Sequence, residues 1–484
     1  MNFRIISYIL GWVLIIESVF FLLPCLVGLY YGETATNAFL YSALLACAMG
    51  VPFVIKKPQN TIFFVKEGFI TVALCWIMLS LFGALPFVFS GSIPHYIDAL
   101  FETVSGFTTT GASILSDVES LPKSVAFWRS FTHWIGGMGV LVFLLAVLPL
   151  AGGSQMHLMR AESPGPSVSK LVPKTQYTAL ILYGLYIVLS IIQFILLIIG
   201  RMPVFEALTT TFGTAGTGGF GIKNDSIAGY SPYIQWVVGI FMILFGVNFN
   251  VFFLIVLKRF KEVFRNEELR AYFGIVFAAT AFIFLNIHSS SGDVATEIRH
   301  AFFQVASIIT TTGFATTDFN IWPALSQTIL VTIMFIGASA GSTGGGIKVS
   351  RILILFKRAR QEIRHYFHPN RVTKIHLEGK VLDNEVIHAT SAYLITYVLI
   401  FVVSTLLVSI EGHDVVTCFT SVAATLNNIG PGLSKVGPTQ NFGFFNPFTK
   451  IILIFDMLIG RLELFPMLML FSPQIWLSIK RKRQ

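Results

Sequence analysis

Threonine and glycine recur in short polar clusters within an apolar chain, and the clusters repeat. Residues 101–111 align without a gap with residues 303–313, so that one Phe, one Ser, three Thr and one Gly coincide. Weaker copies, FEALTTTFGTAG and FTSVAATLNNIG, end at Gly216 and Gly430. Rings of backbone carbonyl oxygens can replace the hydration shell of a cation, and glycine permits backbone conformations that other residues rarely adopt. Four copies around one axis would therefore form a cation filter.

The elements that hold these clusters are predicted to be membrane helices. The chain has 484 residues, of which 54% are hydrophobic and 12% are charged. Apolar runs such as 5–29, 180–199 and 237–257 match the roughly 20 residues that a helix needs to cross a bilayer. The first run lacks the small-residue cleavage site of a secretory signal, so we expect it to be retained. These features predict an all-α polytopic membrane protein.

Basic residues concentrate in every second connection between the apolar runs, which predicts how the chain is oriented. Together with Arg4, these connections hold 24 of the 33 Lys and Arg, and they are Lys56–Lys66, Arg160–Lys174, Lys258–Arg270, Arg351–Lys380 and the tail Lys480–Arg483. By the positive-inside rule, both termini then lie in the cytoplasm. The net charge of +9 therefore reflects topology, and no nucleic-acid partner is expected. The Arg351–Lys380 stretch is denser than orientation requires and is also a candidate docking segment.

Each polar cluster has the same surroundings, which predicts four structural repeats. A short helix beginning with an acidic residue precedes each cluster, and these acids are Asp98, Glu206, Asp293 and Asp414. Acidic residues suit the positive end of a helix dipole. A second apolar helix with a marker glycine follows each cluster, as WIGG, LFGV, FIGA and LIGR. Non-helical backbone at membrane depth is stable only where protein or water satisfies its polar groups.

We therefore predict four units of helix, pore half-helix, extended stretch and helix around a central pore. Two further helices, about 5–31 and 37–55, precede the units and bring the total to about ten transmembrane helices. The predicted boundaries are 1–62 for the amino-terminal extension and 63–152, 175–262, 266–372 and 384–484 for the repeats. An alternative is that the small residues only allow close helix packing. Four copies in register make that alternative the weaker one.

These motifs resemble the TrkH/TrkG family of bacterial potassium uptake subunits, in the superfamily that includes KtrB and the plant and fungal potassium transporters. The resemblance covers essentially the whole chain and rests on TTTGAS, TAGTGGFG, TTTGFATTDF, NNIGPG, GASAGSTGGGIK and IGRLE. It implies potassium as the bound substrate, taken up across the bacterial inner membrane. It also implies a homodimer with one pore in each protomer. A cytosolic TrkA-type ring is implied as partner, and a nucleotide (NAD or ATP) acts only through that ring.

The resemblance also implies which residues bind the ion. The set is Thr109, Thr110, Gly111, Ala215, Gly216, Thr311, Thr312, Gly313, Asn428, Ile429 and Gly430. Two registers stay open, because Gly218 and Gly219 compete with Gly216 in the second copy, and Gly432 competes with Gly430 in the fourth.

The stretch 337–346 reads GASAGSTGGG, and we call it the glycine loop. Interior glycine costs about 0.5–1 kcal/mol relative to alanine, so we expect an irregular loop here, whereas the other three repeats are expected to continue as helix after their marker glycine. The resemblance implies an intramembrane gate at this position. The gate residues are predicted to be Gly337, Gly341, Gly344, Gly345, Gly346 and Arg461. A packing face made of small residues is the alternative.

Arg461 lies in an apolar helix, where a basic side chain at the bilayer centre costs about 2.5–3.5 kcal/mol. The resemblance implies that it faces the pore below the filter. Alternatively, Asp456 or Glu463 neutralises it in a structural role. Two other functions remain open for the whole chain: a proton- or sodium-coupled carrier, and the ion-translocating subunit of a potassium-pumping ATPase. No nucleophile–base constellation is found, so an enzyme is not predicted.

Overall fold

The computed structural model describes residues 2–58, 65–139, 175–288, 292–370 and 374–473. Within these ranges nearly all regular structure is helical, as predicted. The amino-terminal extension contains α1 (Phe3–Phe20), α2 (Leu22–Tyr31) and α3 (Thr36–Val54). Helices α1 and α3 cross closely, because Gly11 and Gly50 meet at the crossing. A Cβ added to either glycine would lie 2.8 Å from the carbonyl oxygen of the other.

The four repeats follow in chain order. The first contains α4 (Val65–Gly83), α5 (Leu85–Phe89), α6 (Tyr96–Phe107) and α7 (Lys123–Met138). The second contains α8 (Thr175–Ile199), α9 (Val204–Ala215), α10 (Pro232–Phe245) and α11 (Phe249–Val256), and α12 (Phe260–Arg265) connects it to the third. Helices α6 and α9 are two of the predicted half-helices.

The third repeat contains α13 (Glu267–Ile287), α14 (Val294–Ile309), the 3₁₀ turn Phe319–Ile321, α15 (Ala324–Ile336) and α16 (Val349–Phe367). A small antiparallel hairpin of β1 (His376–Leu377) and β2 (Lys380–Val381) follows. The fourth repeat contains α17 (Asn384–Ser409), α18 (Val415–Leu426), the 3₁₀ turn Ser434–Val436, α19 (Pro447–Arg461) and α20 (Phe465–Leu470). Helices α14 and α18 are the other two half-helices.

Six helices in the described ranges are long and apolar enough to cross a bilayer, or seven if α10 and α11 count as one bent span. They are the two spans of the amino-terminal extension and the first helix of each repeat. The second helices are shorter. The expectation that three of them continue past their marker glycine is wrong for repeats two and four. Helices α10 and α11 are bent by 93°, and α19 ends at Arg461. In repeat one, the continuation lies outside the described residues.

The half-helices begin at the predicted acidic residues and end inside the molecule. Asp293 and Asp414 are N-cap residues that accept hydrogen bonds from backbone N–H groups, whereas Asp98 and Glu206 lie in the first turn. Toward their carboxyl ends the half-helices are largely buried; in α18, every residue from Thr420 onward is buried. The carboxyl end of a helix carries partial negative charge. The fold thus brings several such ends into its interior.

Candidate cation pathway

The four clusters share one backbone conformation directly after the half-helices. We call them the polar stretches, residues 108–111, 216–219, 310–313 and 427–430. The third residue of each donates its N–H to the carbonyl oxygen five residues earlier, always at 2.8 Å, and these residues are Thr110, Gly218, Thr312 and Ile429. The second residue of each has a left-handed φ of 55° to 58°, and these are Thr109, Thr217, Thr311 and Asn428. The fourth is always a glycine.

The fourth residues settle the open registers. Gly111, Gly219, Gly313 and Gly430 all have φ between 73° and 95°, a region that favours glycine. Gly216 has φ −70° and caps the end of α9, so it is equivalent to Thr108 and not to Gly111. The expected assignment of Ala215 and Gly216 is therefore corrected to Thr217, Gly218 and Gly219. In the fourth copy, Gly430 and not Gly432 is the equivalent glycine.

The polar stretches contact one another in a closed ring. A Cβ built on Gly111 would lie 2.0 Å from the Gly218 oxygen of the second stretch. The next two contacts are Gly219 with the Thr312 oxygen at 1.9 Å, and Gly313 with the Ile429 oxygen at 2.2 Å. Gly430 closes the ring against the Thr110 oxygen at 2.7 Å. Any side chain at these glycines would have to displace the backbone of the next stretch.

One cavity of about 180 Å³ lies over this ring. Its lining includes all four ring glycines together with polar residues of the following loops, namely Asn224, Thr439, Gln440 and Asn441. The glycines at the fourth position of each polar stretch therefore face a common, polar space. Equivalent carbonyl groups around one axis below such a mouth are the arrangement that suits a dehydrated monovalent cation.

A buried ion pair lies beside the loop that follows the first polar stretch. Glu102 of α6 and Arg129 of α7 lie 2.5 Å apart, with side chains 0% and 5% exposed. The Glu102 carboxylate accepts hydrogen bonds from the Ser113 hydroxyl and the Ile114 N–H, at 2.9 and 3.0 Å. Arg129 donates to the Gly221 carbonyl oxygen at 2.8 Å. The pair thus connects the loops that follow the first and second stretches. Sequence reasoning did not identify it.

The glycine loop is irregular, as predicted, and lies against the inner ends of two polar stretches. Helix α15 ends at Ile336, and α16 begins at Val349. The Gly345 N–H donates to the Thr311 hydroxyl at 2.6 Å. A Cβ on Gly344 would lie 2.8 Å from the Thr310 oxygen, and one on Gly345 would lie 2.3 Å from the Asn427 oxygen. Among the predicted gate residues, Gly344 and Gly345 therefore make the contact with the stretches.

Gly337, Gly341 and Gly346 shape the loop instead. Each has a left-handed φ, of 72°, 67° and 76° respectively. Gly337 and Gly346 also lie back to back, since a Cβ on Gly346 would lie 2.7 Å from the Gly337 Cα. The two ends of the loop are thereby brought together.

Glu268 of α13 connects the glycine loop with the start of α16. Its Oε1 accepts the Ala340 N–H at 2.7 Å and the Ser350 N–H at 3.1 Å, and the residue is 4% exposed. From the sequence, this region was identifiable only as a basic connection, Lys258–Arg270. An acid in the first turn of an apolar span was the signal that could have identified it.

Arg461 holds the middle of the loop. Its guanidinium donates to the Thr343 oxygen at 2.8 Å and to the Gly136 and Gly137 oxygens at 2.5 and 2.9 Å. It therefore connects repeat four with repeats three and one, below the polar stretches. The two acids named in the structural alternative contact other groups: Glu463 is bonded to Arg351, and Asp456 accepts the Ser404 hydroxyl at 2.6 Å.

Comparison with known proteins agrees with this architecture. The family model described as "TrkH: Cation transport protein" matches residues 35–478. The Trk system potassium uptake protein TrkH of Salmonella typhimurium is 40% identical and covers 98% of this chain and 100% of its own. TrkG of Escherichia coli K12 is 32% identical, covering 98% of this chain and 99% of its own. The chain belongs to the TrkH family.

A solved structure of a TrkH-family member supports the fold. The crystal structure of the potassium transporter TrkH from Vibrio parahaemolyticus matches with a TM-score of 0.88 and 33% identity, and covers 98% of this chain and 100% of its own. The TrkH-family chain described here is therefore an all-helical, multi-pass membrane protein in a lipid bilayer. The family consists of cation transport proteins and not of enzymes.

In this TrkH-family chain, the predicted docking segment forms α16 and the hairpin after it. Lys357 of α16 is bonded to Glu267 and donates to the His376 carbonyl oxygen at 2.7 Å, which fixes the hairpin to the helix. A cavity of about 210 Å³ between them is rich in basic groups, namely Lys357, Arg360, Arg364, Lys374 and His376. The described part of this segment therefore places a group of basic side chains beside α16, the helix that follows the glycine loop.

Proposed function

We propose that this chain takes up potassium across the bacterial inner membrane. The ion passes between four polar stretches, whose carbonyl groups form a selectivity filter, and the glycine loop gates the path. The observation that carries the proposal is the closed ring of Gly111, Gly219, Gly313 and Gly430 under one polar cavity. The relatives TrkH and TrkG are potassium uptake proteins, which supports potassium as the substrate.

In this proposal, the ion ligands are the carbonyl oxygens of the polar stretches. Thr110, Gly218, Thr312 and Ile429 supply one equivalent layer, and Thr109, Thr217, Thr311 and Asn428 supply the next. Backbone oxygens are neutral, so they compensate for lost hydration without trapping the ion as a carboxylate would. Conduction requires such binding, because a site must be strong enough to admit an ion and weak enough to release it.

The decisive experiment is ion flux into vesicles that contain the purified chain, with the membrane potential set independently. We expect uptake of potassium and rubidium in clear preference to sodium, driven by the potential alone. Vesicles that contain a Gly219→Ser variant are the matched control, because this substitution alters the ring of polar stretches through which the ion is proposed to pass. Equal uptake of potassium and sodium by the unmodified protein would contradict the proposal.

A coupled carrier is the second candidate, because the structure buries two carboxyl groups away from the ring. Glu17 of α1 is 0% exposed, and Asp456 of α19 is 1% exposed. Ionisable residues inside the membrane often mark proton pathways in transporters. Imposing a pH gradient in the same vesicles separates the two candidates. Uptake that follows the pH gradient at zero potential supports a proton-coupled carrier.

We further propose that the chain is a homodimer with a pore in each protomer, and that its partner is a cytosolic TrkA-type ring. The ring is proposed to bind NAD or ATP and to dock on the basic surface of α16. Both termini are proposed to lie in the cytoplasm, following the distribution of Lys and Arg. Supporting the docking site, only two residues separate the glycine loop from the start of α16 at Val349, so that a pull on the helix reaches the loop directly.

A pull-down between the purified chain and the ring at several salt concentrations tests the docking site. Neutralising Lys357, Arg358 and Arg360 should weaken binding most at low salt, because contacts between exposed charges are screened by salt. Neutralising Lys258, Lys261 and Arg265, which lie in another basic connection, is the matched control. Binding that survives the first change and not the second moves the docking site to the second connection.

A further inference from the structure

Lys348 carries a positive charge into the space beneath the polar stretches, and the proposed gate does not by itself require this. The residue is 2% exposed and lies two positions after the glycine loop. Its Nζ donates a hydrogen bond to the carbonyl oxygen of Gly344 in that loop. Burying an ammonium group is costly unless charge or hydrogen bonds compensate for it. Its position therefore needs a functional or structural reason.

The Gly344 carbonyl group that accepts this hydrogen bond lies next to the ring of polar stretches. Gly344 and Gly345 are the loop residues that meet the Thr310 and Asn427 oxygens, at the ends of half-helices α14 and α18. Helix carboxyl ends carry partial negative charge, so this region attracts cations. The Lys348 ammonium group, bonded to Gly344, therefore lies where the helix ends would attract an ion that leaves the ring of polar stretches.

The backbone at Lys348 adopts a conformation that side-chain-bearing residues rarely show. Its φ is 85° and its ψ is 136°, outside the regions that L-residues normally occupy. Strain of this kind persists only where the surroundings determine it, and it clusters at functional sites. At Lys348 the strained backbone turns the chain from the loop into α16 and holds the side chain beneath the loop.

The surrounding charges do not cancel the ammonium. Lys348 interacts electrostatically with Glu463, Arg461, Arg351 and Glu268. Glu463 is already bonded to Arg351, and Glu268 accepts one backbone N–H group of the loop and one of α16. Counted with all five groups ionised, three cations face two carboxylates, which leaves one positive charge in excess. Repulsion between a potassium ion and this cluster acts over several ångströms in a partly dry interior.

We propose that Lys348 is a tethered cation that opposes potassium exit while the loop is closed and moves away with the loop when the loop moves. The proposal rests on the proposed function of the chain as a potassium pathway. Arg461 belongs to α19 and stays in place, whereas Lys348 belongs to the segment that moves. The gate is then electrostatic as well as steric, and its mobile charge is this one side chain.

The test is rubidium uptake into vesicles that contain the purified chain without the TrkA-type partner ring. Three variants separate charge from contact. Lys348→Arg keeps the charge, Lys348→Gln keeps an N–H donor without charge, and Lys348→Met has neither. The matched control is Lys450→Met, because Lys450 is a buried lysine paired with Asp98 at 2.6 Å. Melting temperature and monodispersity of each variant are measured first, and either neutral variant suffices if the other does not fold.

In the absence of the TrkA-type partner ring, we expect uptake by Lys348→Gln and Lys348→Met to rise about ten- to a hundredfold. This is the effect of removing one unit charge that lies several ångströms from an ion. The Arg variant and Lys450→Met should stay near the unmodified level. Neutral variants that match the unmodified protein overturn the proposal. An Arg variant that leaks as much as Met also overturns it, since the role is then contact and not charge.

A variant lacking Ser342–Gly346 distinguishes this failure from failure of the proposed function. If that variant carries rubidium and the neutral variants do not, only the proposal about Lys348 fails. If the loop-deleted protein carries no rubidium either, the proposed potassium pathway itself fails.

Discussion

The polar stretches and the glycine loop lie against each other, but they are held in different ways. The stretches repeat one backbone hydrogen-bond pattern four times, and each of their glycines lies directly on a carbonyl of the next stretch. The glycine loop has no repeated pattern: it is held by backbone hydrogen bonds to Phe245, Gly246 and Phe249 and by single side-chain contacts from Glu268, Arg461 and the Thr311 hydroxyl. A region whose members repeat one pattern moves only with its neighbours, whereas single side-chain contacts can be released one at a time.

This difference assigns separate tasks to the two regions. A filter must keep its oxygen layers at fixed spacing, and a ring whose members touch through their main chain does so. A gate must exchange between two arrangements of similar free energy, and a segment with few bulky side chains loses little packing when it moves. The predictions that follow test whether stiffness and mobility are divided in this way.

Removing Ser342–Gly346 should have the largest effect. When these residues are removed, the loop no longer covers the ends of the third and fourth polar stretches. The path should then stay open even when the TrkA-type partner ring is absent. We expect uptake in the absence of the ring to rise about a hundredfold, the range for an element that is closed 99% of the time. The preference for potassium over sodium should be largely kept. A folded variant that still depends on the ring to the same degree would place the gate elsewhere.

Substituting the ring glycines should change selectivity and not gating. In Gly219→Ser, the new Cβ would meet the Thr312 oxygen at 1.9 Å, so the third stretch must shift. We expect roughly a tenfold loss in the potassium-to-sodium uptake ratio, equivalent to about 1.4 kcal/mol. Gly111→Ser and Gly313→Ser should act alike.

Gly216→Ser is the matched control for these substitutions. Its Cβ would instead meet the His133 oxygen of α7 at 2.1 Å, so it should lower the melting temperature with the uptake ratio unchanged in the folded fraction. If Gly216→Ser changes the ratio and Gly219→Ser does not, the corrected register is wrong.

Arg461→Ala should raise uptake without the ring by roughly three- to tenfold, because the loop loses its bond at Thr343 and the path loses one fixed positive charge. Arg461→Lys is the control, since it keeps the charge but cannot bond three carbonyl oxygens in the same geometry. Uptake in the Lys variant should fall between the other two. Normal uptake in Arg461→Ala with a lower melting temperature would indicate a purely structural role.

Glu268→Gln should give the smallest effect. The amide oxygen can still accept the Ala340 and Ser350 N–H groups, but bonds to a neutral acceptor are about half as strong as those to a carboxylate. We expect roughly a twofold rise in uptake without the ring, measured in the same vesicles. Glu267→Gln, one position away and bonded to Lys357, is the control and should leave uptake without the ring unchanged.

The sequence predicted those features that depend on local pattern. The four repeats, the acidic starts of the half-helices and the irregular glycine loop follow from spacing, dipoles and glycine content, and the structure confirms them. Family membership followed from the motifs and is confirmed by the relatives. The register at Gly219 could not be predicted, because three of the four glycines in TAGTGGFG were candidates, and only the hydrogen bond from Gly218 to Gly213 shows which one follows the turn.

Other features depend on contacts between distant segments. The bend between α10 and α11 occurs at residues 246–248, which include one glycine, and the N–H of Phe249 beyond the bend donates to the Gly341 oxygen of the loop at 3.0 Å. Glu268 lay within the basic connection Lys258–Arg270 and Lys348 at the end of the motif GASAGSTGGGIK, and neither was predicted to be a site residue. Their burial next to the loop requires the packing of α13 and α16, which no local pattern encodes.

The glycine loop belongs to one repeat and meets the ring on the side of stretches three and four. A channel of four identical subunits opens symmetrically, since all four subunits move together. A path closed by this loop would open asymmetrically, by movement on one side of the pore. Opening then requires displacement of a single segment within one chain, so each protomer of a dimer can open on its own while its neighbour stays shut.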